Sequence, residues 1–421
     1  MAGKRIFILV ALLLLSSFVL APVGAQDDVI RVYTSWPLQG SMQPEGESML
    51  RAAQLALDHY MADHDDAGPL GMNIEIVPLD DASPTTGSWD GTVEAENAQR
   101  CVNDPTCMVY FGTYNSGAAK VSMPITNEAG MAHITPANSY AGLTRACDTC
   151  EDGEPEIYRP TGVVNYFRTN PTDDVQGPAA ASWAYCLGAQ NVYILDDTQL
   201  YGQGIADEFV RHAEEIGLNI VGRDSVESTD IDFRSLVTKV RGAGADMVFG
   251  GFVVDSGGPQ VVQQMGELGL FDDDVTFMGP DGLLTPSMVE DSGGADNVNG
   301  NVFLTFPGVL PSLLTNEQGM RFYNDFVAEY GEDPTGYSVY AYQSMMLVLD
   351  SIDRAGVAER GPILDAMRET TDFEGLTGTF SFDENGDSTA AAFFGYEAAD
   401  GVFMNPVPIT PTMHEECTPA S

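Results

Sequence analysis

Lysine is almost missing from this chain. Lys4, Lys120 and Lys239 are the only ones in 421 residues, and 18 basic against 62 acidic residues give a formal net charge of −44. A surface so poor in cations cannot track a nucleic-acid backbone, which is held by neutralising phosphates, and it is repelled by anionic lipid. Long apolar runs are missing too: beyond the first 25 residues no segment approaches the ~20 apolar residues that span a bilayer. There is no G-x-x-x-x-G-K-[ST] loop and no G-x-G-x-x-G after a strand, so phosphate-cradling sites are not indicated. The five histidines, His59, His64, His133, His212 and His414, form no H-x-x-x-H or other metal-ligand spacing. What is present is ordinary globular material. The chain is 44% hydrophobic and 19% charged, which excludes general disorder, and at roughly 150 residues per domain the length suggests two or three domains.

The first residues read as an address. Lys4 and Arg5 precede an apolar run over 6–21, and Val23-Gly24-Ala25 stands before Gln26. This is the pattern of a secretory signal peptide spanning 1–25, with cleavage after Ala25; the alternative is an uncleaved anchor. No cysteine stands at the cleavage site, so no lipid anchor is expected. The mature chain is expected to be exported, periplasmic or extracellular. Six cysteines suit an oxidising compartment. Cys101 and Cys107 bracket the turn-forming Val-Asn-Asp-Pro-Thr, and Cys147-Asp-Thr-Cys150 lies in a polar stretch. Each pair is expected to be a disulfide, the alternatives being a redox C-x-x-C or a four-thiolate zinc site. Cys186 ends an apolar helical stretch as a buried thiol, and the state of Cys417 is open.

From Val29 onward, strand and helix patterns alternate. A buried strand at 29–35 is followed by Met49, Ala52, Ala53, Ala56, Leu57 and Tyr60 at helical spacing. The alternation continues to about 135, resumes near Asp173, and closes with helices over 316–330, 337–354 and 362–370 and strands at 378–382 and 392–396. Such alternation means parallel sheets covered by helices on both faces. Two series predict an α/β protein of two doubly wound lobes. Ligands in such lobes bind beyond the carboxyl ends of the strands, which directs attention to the loops 36–46, 113–116, 136–140, 196–204, 253–258 and 280–284.

Two stretches imitate other chemistry. Asp255-Ser-Gly-Gly-Pro259 is similar to the nucleophile segment of trypsin-like proteases, but Val254 stands where those carry Gly. Ser256 is therefore read as part of a glycine-rich loop opening a helix, with a serine hydrolase as the competing reading. Asp383-Glu-Asn-Gly-Asp387 looks like a calcium loop without its distal Glu, and Asn385-Gly386 predicts a hairpin turn instead.

Six stretches carry a family resemblance: Val109-Tyr-Phe-Gly-Thr-Tyr-Asn-Ser-Gly117, Ile134-Thr-Pro-Ala-Asn-Ser139, Phe167-Arg-Thr-Asn170, Asp196-Asp-Thr-Gln-Leu-Tyr-Gly-Gln-Gly204, Gly244-Ala-Asp-Met-Val-Phe-Gly-Gly251 and Phe277-Met-Gly-Pro-Asp-Gly282. In this order the chain resembles the type I periplasmic binding proteins, in particular the leucine/isoleucine/valine-binding group of ABC importers, over about 30–407. The resemblance implies two lobes joined by three crossovers near 167–170, 304–307 and 376–379. Lobe 1 would take 26–167 and 308–376, lobe 2 168–307 and 377–409, and 410–421 would be a tail. It implies that Ser116, Ala137 and Ser139 hold a ligand carboxylate and ammonium from one lobe, while Tyr201 covers the ligand and Asp281 pairs with its ammonium from the other. Tyr114, Asn115, Phe252 and Trp36 join the expected ligand contacts. Asp281 is one methylene shorter than the family's Glu, Phe252 replaces a tyrosine, and Ser83 and Asn115 lie near where the family's first-lobe disulfide would be. The implied activity is capture of an aliphatic or branched-chain amino acid for ABC permease subunits by a monomer without catalysis, cofactor or metal. The alternatives are a receptor for a short amide or urea, and a regulatory sensor.

Overall fold

The computed structural model describes residues 29–417; the expected signal peptide lies outside them. Two sheets organise the chain. Strands β1 (Val29–Trp36), β2 (Asn73–Asp80), β3 (Cys107–Gly112), β4 (Ala132–Thr135) and β5 (Tyr166–Arg168) form a wholly parallel sheet in the order β2-β1-β3-β4-β5. Helices α1 (Gln43–Asp63), α2 (Gly91–Asn103) and α3 (Ser116–Glu128) make its connections. After a first crossover come α4 (Asp173–Cys186), β6 (Asn191–Asp196), α5 (Leu200–Ile216), β7 (Asn219–Ser225), α6 (Arg234–Ala243), β8 (Met247–Gly251), α7 (Gly258–Glu267), β9 (Thr276–Gly279), the short α8 (Met288–Asp291) and α9 (Ala295–Val298), and β10 (Val302–Pro307). The chain then returns to the first sheet as α10 (Glu317–Tyr330), α11 (Ser338–Ala355), α12 (Arg360–Arg368) and a hairpin, β11 (Phe373–Gly375) and β12 (Gly378–Phe380). It ends in β13 (Phe393–Ala399) and β14 (Val402–Ile409), which complete a seven-stranded mixed sheet, β14-β13-β10-β9-β8-β6-β7, by antiparallel pairing.

The elements follow from their side chains. Every residue of β3, β8 and β10 is buried, as expected of parallel strands covered on both faces. The α1 stripe Met49, Ala52, Ala53, Ala56, Leu57 and Tyr60 is buried and packs on α11. In the other lobe, Ile205, Phe209 and Ala213 of α5 face inward, and α4 approaches so closely that a Cβ on Gly177 would lie 2.8 Å from the Phe209 nitrogen. Only glycine permits that packing. β14 carries Pro406 and Pro408 and was not expected as a strand. It survives because it is the sheet's outer strand, where missing N–H groups cost no ladder bond.

Arg168 is fully buried and bonds Asp387 Oδ1 through Nε at 2.7 Å and the Tyr140 carbonyl through Nη1 at 2.7 Å. Its backbone also pairs with the turn beyond β12: Arg168 N–H donates to Gly386 O at 3.0 Å and Ser388 N–H to Arg168 O at 3.1 Å. The Asn385-Gly386 turn forms, with Asp383 Oδ1 accepting from the N–H groups of Asn385 and Asp387.

Three disulfides are present, Cys101–Cys107, Cys147–Cys150 and Cys186–Cys417. Both short pairs are thus bonded within themselves. Cys186, expected as a buried thiol, instead ties the chain end to α4 across 231 positions. Among the described residues no helix is long and apolar enough to cross a membrane.

Candidate functional site

The loops after β3, β4, β6, β8 and β9 converge where the two lobes face each other. On the first lobe, the 113–116 and 136–140 loops are stapled together. Asn138 Nδ2 donates to the Tyr114 carbonyl at 2.7 Å, its Oδ1 accepts from the Tyr166 hydroxyl at 2.6 Å, and Thr135 Oγ1 donates to the Thr113 carbonyl at 2.8 Å. These bonds hold the start of α3 rigidly. Its first backbone bonds run from Ala118 and Ala119 to the Asn115 carbonyl, so the N–H groups of Ser116 and Gly117 have no partner within the helix. Together with the Ser116 hydroxyl they make an end of positive polarity, suited to an anion. The Ser116 hydroxyl also accepts from Tyr140 N–H at 3.4 Å. Asn115 Oδ1 is buried and without a partner.

Asp281 approaches from the second lobe, at the turn after β9. It is 3% exposed. Its Oδ2 accepts from the Tyr337 hydroxyl, and its Oδ1 accepts from Gln176 Nε2 and, at 3.0 Å, from the Tyr201 hydroxyl. All three donors are neutral, and Asp281 has no ion pair among the described residues. Burial pushes its carboxyl above the usual range, while the bonds from Tyr337, Gln176 and Tyr201 pull the other way. Asp173, fully buried at the start of α4, is pushed up further, by burial first and by the Asp281 charge second. Tyr337 begins the turn into α11 and so reaches Asp281 from the first-lobe side, linking the lobes directly.

Between these groups lies a cavity in which the centre of a water-sized sphere has about 20 Å³ of room. Its lining brings together Ser116, Ala137, Ser139, Tyr114 and Asn115 with Tyr201 and Asp281, and adds Val253, Gly282 and Tyr337. Trp36 and Phe252, both expected as ligand contacts, stand outside this lining. Trp36 is fully buried, edge-on to Phe111 at 5.2 Å, and Phe252 is fully buried against the α-carbons of Gly250 and Gly258. Trp36 was expected from its loop and Phe252 from the tyrosine that the resemblance implies there, but both side chains are fully buried outside the cavity lining. Tyr337 and Gln176 were missed, because each owes its place to a partner far along the chain; the only trace of Tyr337 was its position at the start of a strongly apolar helix.

Ser256 is placed otherwise than a nucleophile. It is fully buried, its hydroxyl accepting from Val253 N–H at 3.0 Å and donating to Val253 O at 2.9 Å, which closes a turn. Among the described residues no group of three or more His, Cys, Asp or Glu is placed to hold a metal ion.

Known proteins agree with this architecture. The chain is 27% identical, over 88% of its own length and 90% of the relative's, to a leucine-, isoleucine-, valine-, threonine- and alanine-binding protein of Pseudomonas aeruginosa. It shares the fold of the branched-chain amino acid transporter substrate-binding protein LivJ of Streptococcus pneumoniae in complex with isoleucine, with a TM-score of 0.77 at 23% identity, covering 91% of this chain and 100% of that one. It also shares the fold of a solute-binding protein from R. palustris in complex with benzoate, with a TM-score of 0.74 at 19% identity, covering 90% and 96%. A family model described as periplasmic binding protein matches residues 30–401, nearly all of the described chain, and the protein belongs to that family.

Proposed function

We propose that the chain captures an L-amino acid with an aliphatic side chain in the inter-lobe cleft and presents it to the permease subunits of an ABC importer. The observation that carries this reading is the opposition of unlike groups across one cavity. The open N–H groups and hydroxyl at Ser116 suit a carboxylate, and the buried Asp281 carboxylate, met only by neutral donors, suits an ammonium. A zwitterion satisfies both ends at once, and only with the lobes together, so its binding favours closure. A neutral amide or urea brings no cation to Asp281. An aromatic carboxylate, as held by the R. palustris protein, would fill the helix end and leave Asp281 without a counter-charge. Capture and release need no catalysis, and the turn-closing hydroxyl of Ser256 supports a non-enzymatic reading. Export by the leader and action as a monomer complete the proposal.

Calorimetry of the mature protein with leucine, isoleucine, valine and alanine tests it. Saturable heat is expected with at least one of them, and Asp281→Asn should weaken that binding by about 3–5 kcal/mol, roughly a hundredfold or more in Kd. No heat with any standard amino acid, or binding of benzoate alone, overturns the reading.

A further inference from the structure

A second cavity, on the flank of the first lobe, is left unused by this capture. It offers about 330 Å³ to the centre of a water-sized sphere, against about 20 Å³ in the cleft, and so reaches the range in which small-molecule sites occur. It lies between the end of α1, the middle of α11, the start of α10 and β11. Four aromatic side chains, Tyr60, His64, Tyr342 and Phe373, line it, the His64 ring stacked on one face of Tyr60 at 4.0 Å. Gln343, also lining it, is 1% exposed. Its Nε2 donates to the Thr169 carbonyl at 3.4 Å, and its Oε1 accepts from the Thr377 N–H at 3.3 Å and hydroxyl at 3.1 Å. An amide pinned to two backbone segments does not swing in to fill the space, so the cavity is preformed.

Its polarity is one-sided. Arg321 is the one Lys or Arg side chain in the lining, and it is committed to Asp63 at 2.8 and 3.3 Å. Asp350 is matched by Arg354 at 2.7 Å. Asp353 and Glu374, also in the lining, have no ion pair among the described residues. In so acidic a chain a carboxylate rim alone would distinguish nothing; here it borders a drug-sized space with aromatic walls. An ammonium that carries an aromatic body gains twice in such a place, its charge from the carboxylates and its body from contact with the rings, whereas an anion is repelled and a neutral molecule gains only the ring contact.

We propose that this cavity is a second binding site, for an organic cation: a primary ammonium held at the Asp353 and Glu374 rim, with a flat apolar body against Tyr60, Tyr342 and Phe373. It is independent of what the cleft binds.

Calorimetry of the full mature chain with 2-phenylethylammonium chloride is the test, with 2-phenylethanol as the neutral isostere. The ammonium is expected to bind saturably and the alcohol at least tenfold more weakly. Asp353→Asn combined with Glu374→Gln changes only exposed side chains and should lower ammonium affinity at least tenfold with an unchanged melting temperature. Phe373→Leu should lower it severalfold while keeping an apolar wall. Absence of saturable heat from the ammonium, equal binding of the alcohol, or undiminished affinity in the double variant, which would place the ammonium elsewhere, the cleft carboxylate Asp281 included, each overturns the proposal.

Discussion

Two buried acids from each lobe show two ways of holding a carboxylate. For Glu45 and Glu94 of the first lobe the partners are neutral. Glu45 accepts from the Thr335 hydroxyl at 2.7 Å and the Tyr337 N–H at 3.3 Å, and Glu94 accepts from the hydroxyls of Ser35 at 2.6 Å and Tyr110 at 2.9 Å. The second-lobe pair meets guanidinium groups, Asp196 with Arg223 at 2.9 Å and Glu208 with Arg211 at 2.7 Å, whereas Asp281 of the same lobe has only neutral donors. Neutral donors cannot repay the loss of water around a charge, so burial pushes the Glu45 carboxyl up to about 7 and raises Glu94 as well. Guanidinium partners that remain partly exposed supply a counter-charge that dissolved salt can screen. Glu45 and Glu94 should therefore answer to pH near neutrality, and the Asp196 and Glu208 pairs to ionic strength.

The largest expected effect lies where the contrast fails, at the crossover. Arg168 and Asp387 form a buried ion pair on the first-sheet side. Burial alone would raise the Asp387 carboxyl, but the Arg168 and Arg145 guanidinium groups and the Thr144 hydroxyl together outweigh it and hold the group below the usual range. Asp387→Asn strands a buried guanidinium, and chemical denaturation should show a loss of about 3–5 kcal/mol. A loss under about 1 kcal/mol would class the pair with surface contacts.

Next comes Glu45→Gln. The folded-state value near 7 lies above the ordinary 4.5, so stability from this group is fully present below about pH 4.5 and is lost as pH rises through about 7. Glutamine keeps the acceptor oxygen and removes the titration. The variant should match the wild type near pH 4.5 and exceed it by about 3 kcal/mol at pH 8, read from paired denaturation curves. His133 works the other way: burial pushes it down to about 3, so its contribution grows as pH rises from about 3 to 6.5, which is why the comparison is made between variant and wild type at each pH. Equal curves at pH 8 would mean that Glu45 is hydrated.

Breaking the long disulfide by Cys186→Ser and Cys417→Ser should cost about 2–4 kcal/mol. Opening Cys147–Cys150, whose loop has a separation of only 3, should cost less, because a short loop restricts the unfolded chain less. The smallest effect tests the second lobe: Arg223→Gln should lose about 1 kcal/mol at low salt and less at 1 M NaCl. A salt-independent loss would show that the Arg223 partnership is shielded as the first lobe's bonds are.

Much of this was legible from periodicity and loop position. Long buried strands and amphipathic helices announce themselves locally, and seven of the nine expected ligand contacts meet at one cavity lining. What stayed hidden depends on tertiary partners. β14 was disguised by its two prolines, which are tolerated only because nothing pairs on its outer side. Cys417 found Cys186 through the fold, not through spacing. Tyr337 and Gln176 reach Asp281 from positions 56 and 105 residues away along the chain, a distance over which no local pattern speaks. Trp36 and Phe252 show the converse: a loop address for the one, and a matched family position for the other, give the backbone's place and leave the direction of the ring open.

The outer strand β14 bears on behaviour at high concentration. A bare strand edge is a template on which another chain can add its own backbone, the first step toward aggregates. Here Pro406 and Pro408 offer no N–H, and a register shift breaks the pairing with β13 between Gly395 and Glu397, so the edge is neither straight nor fully armed with donors. The opposite edge, β7, carries Arg223 and Asp224 near its end, whose charges an incoming strand would have to desolvate. Both margins of the larger sheet are thus blunted against pairing with a second copy.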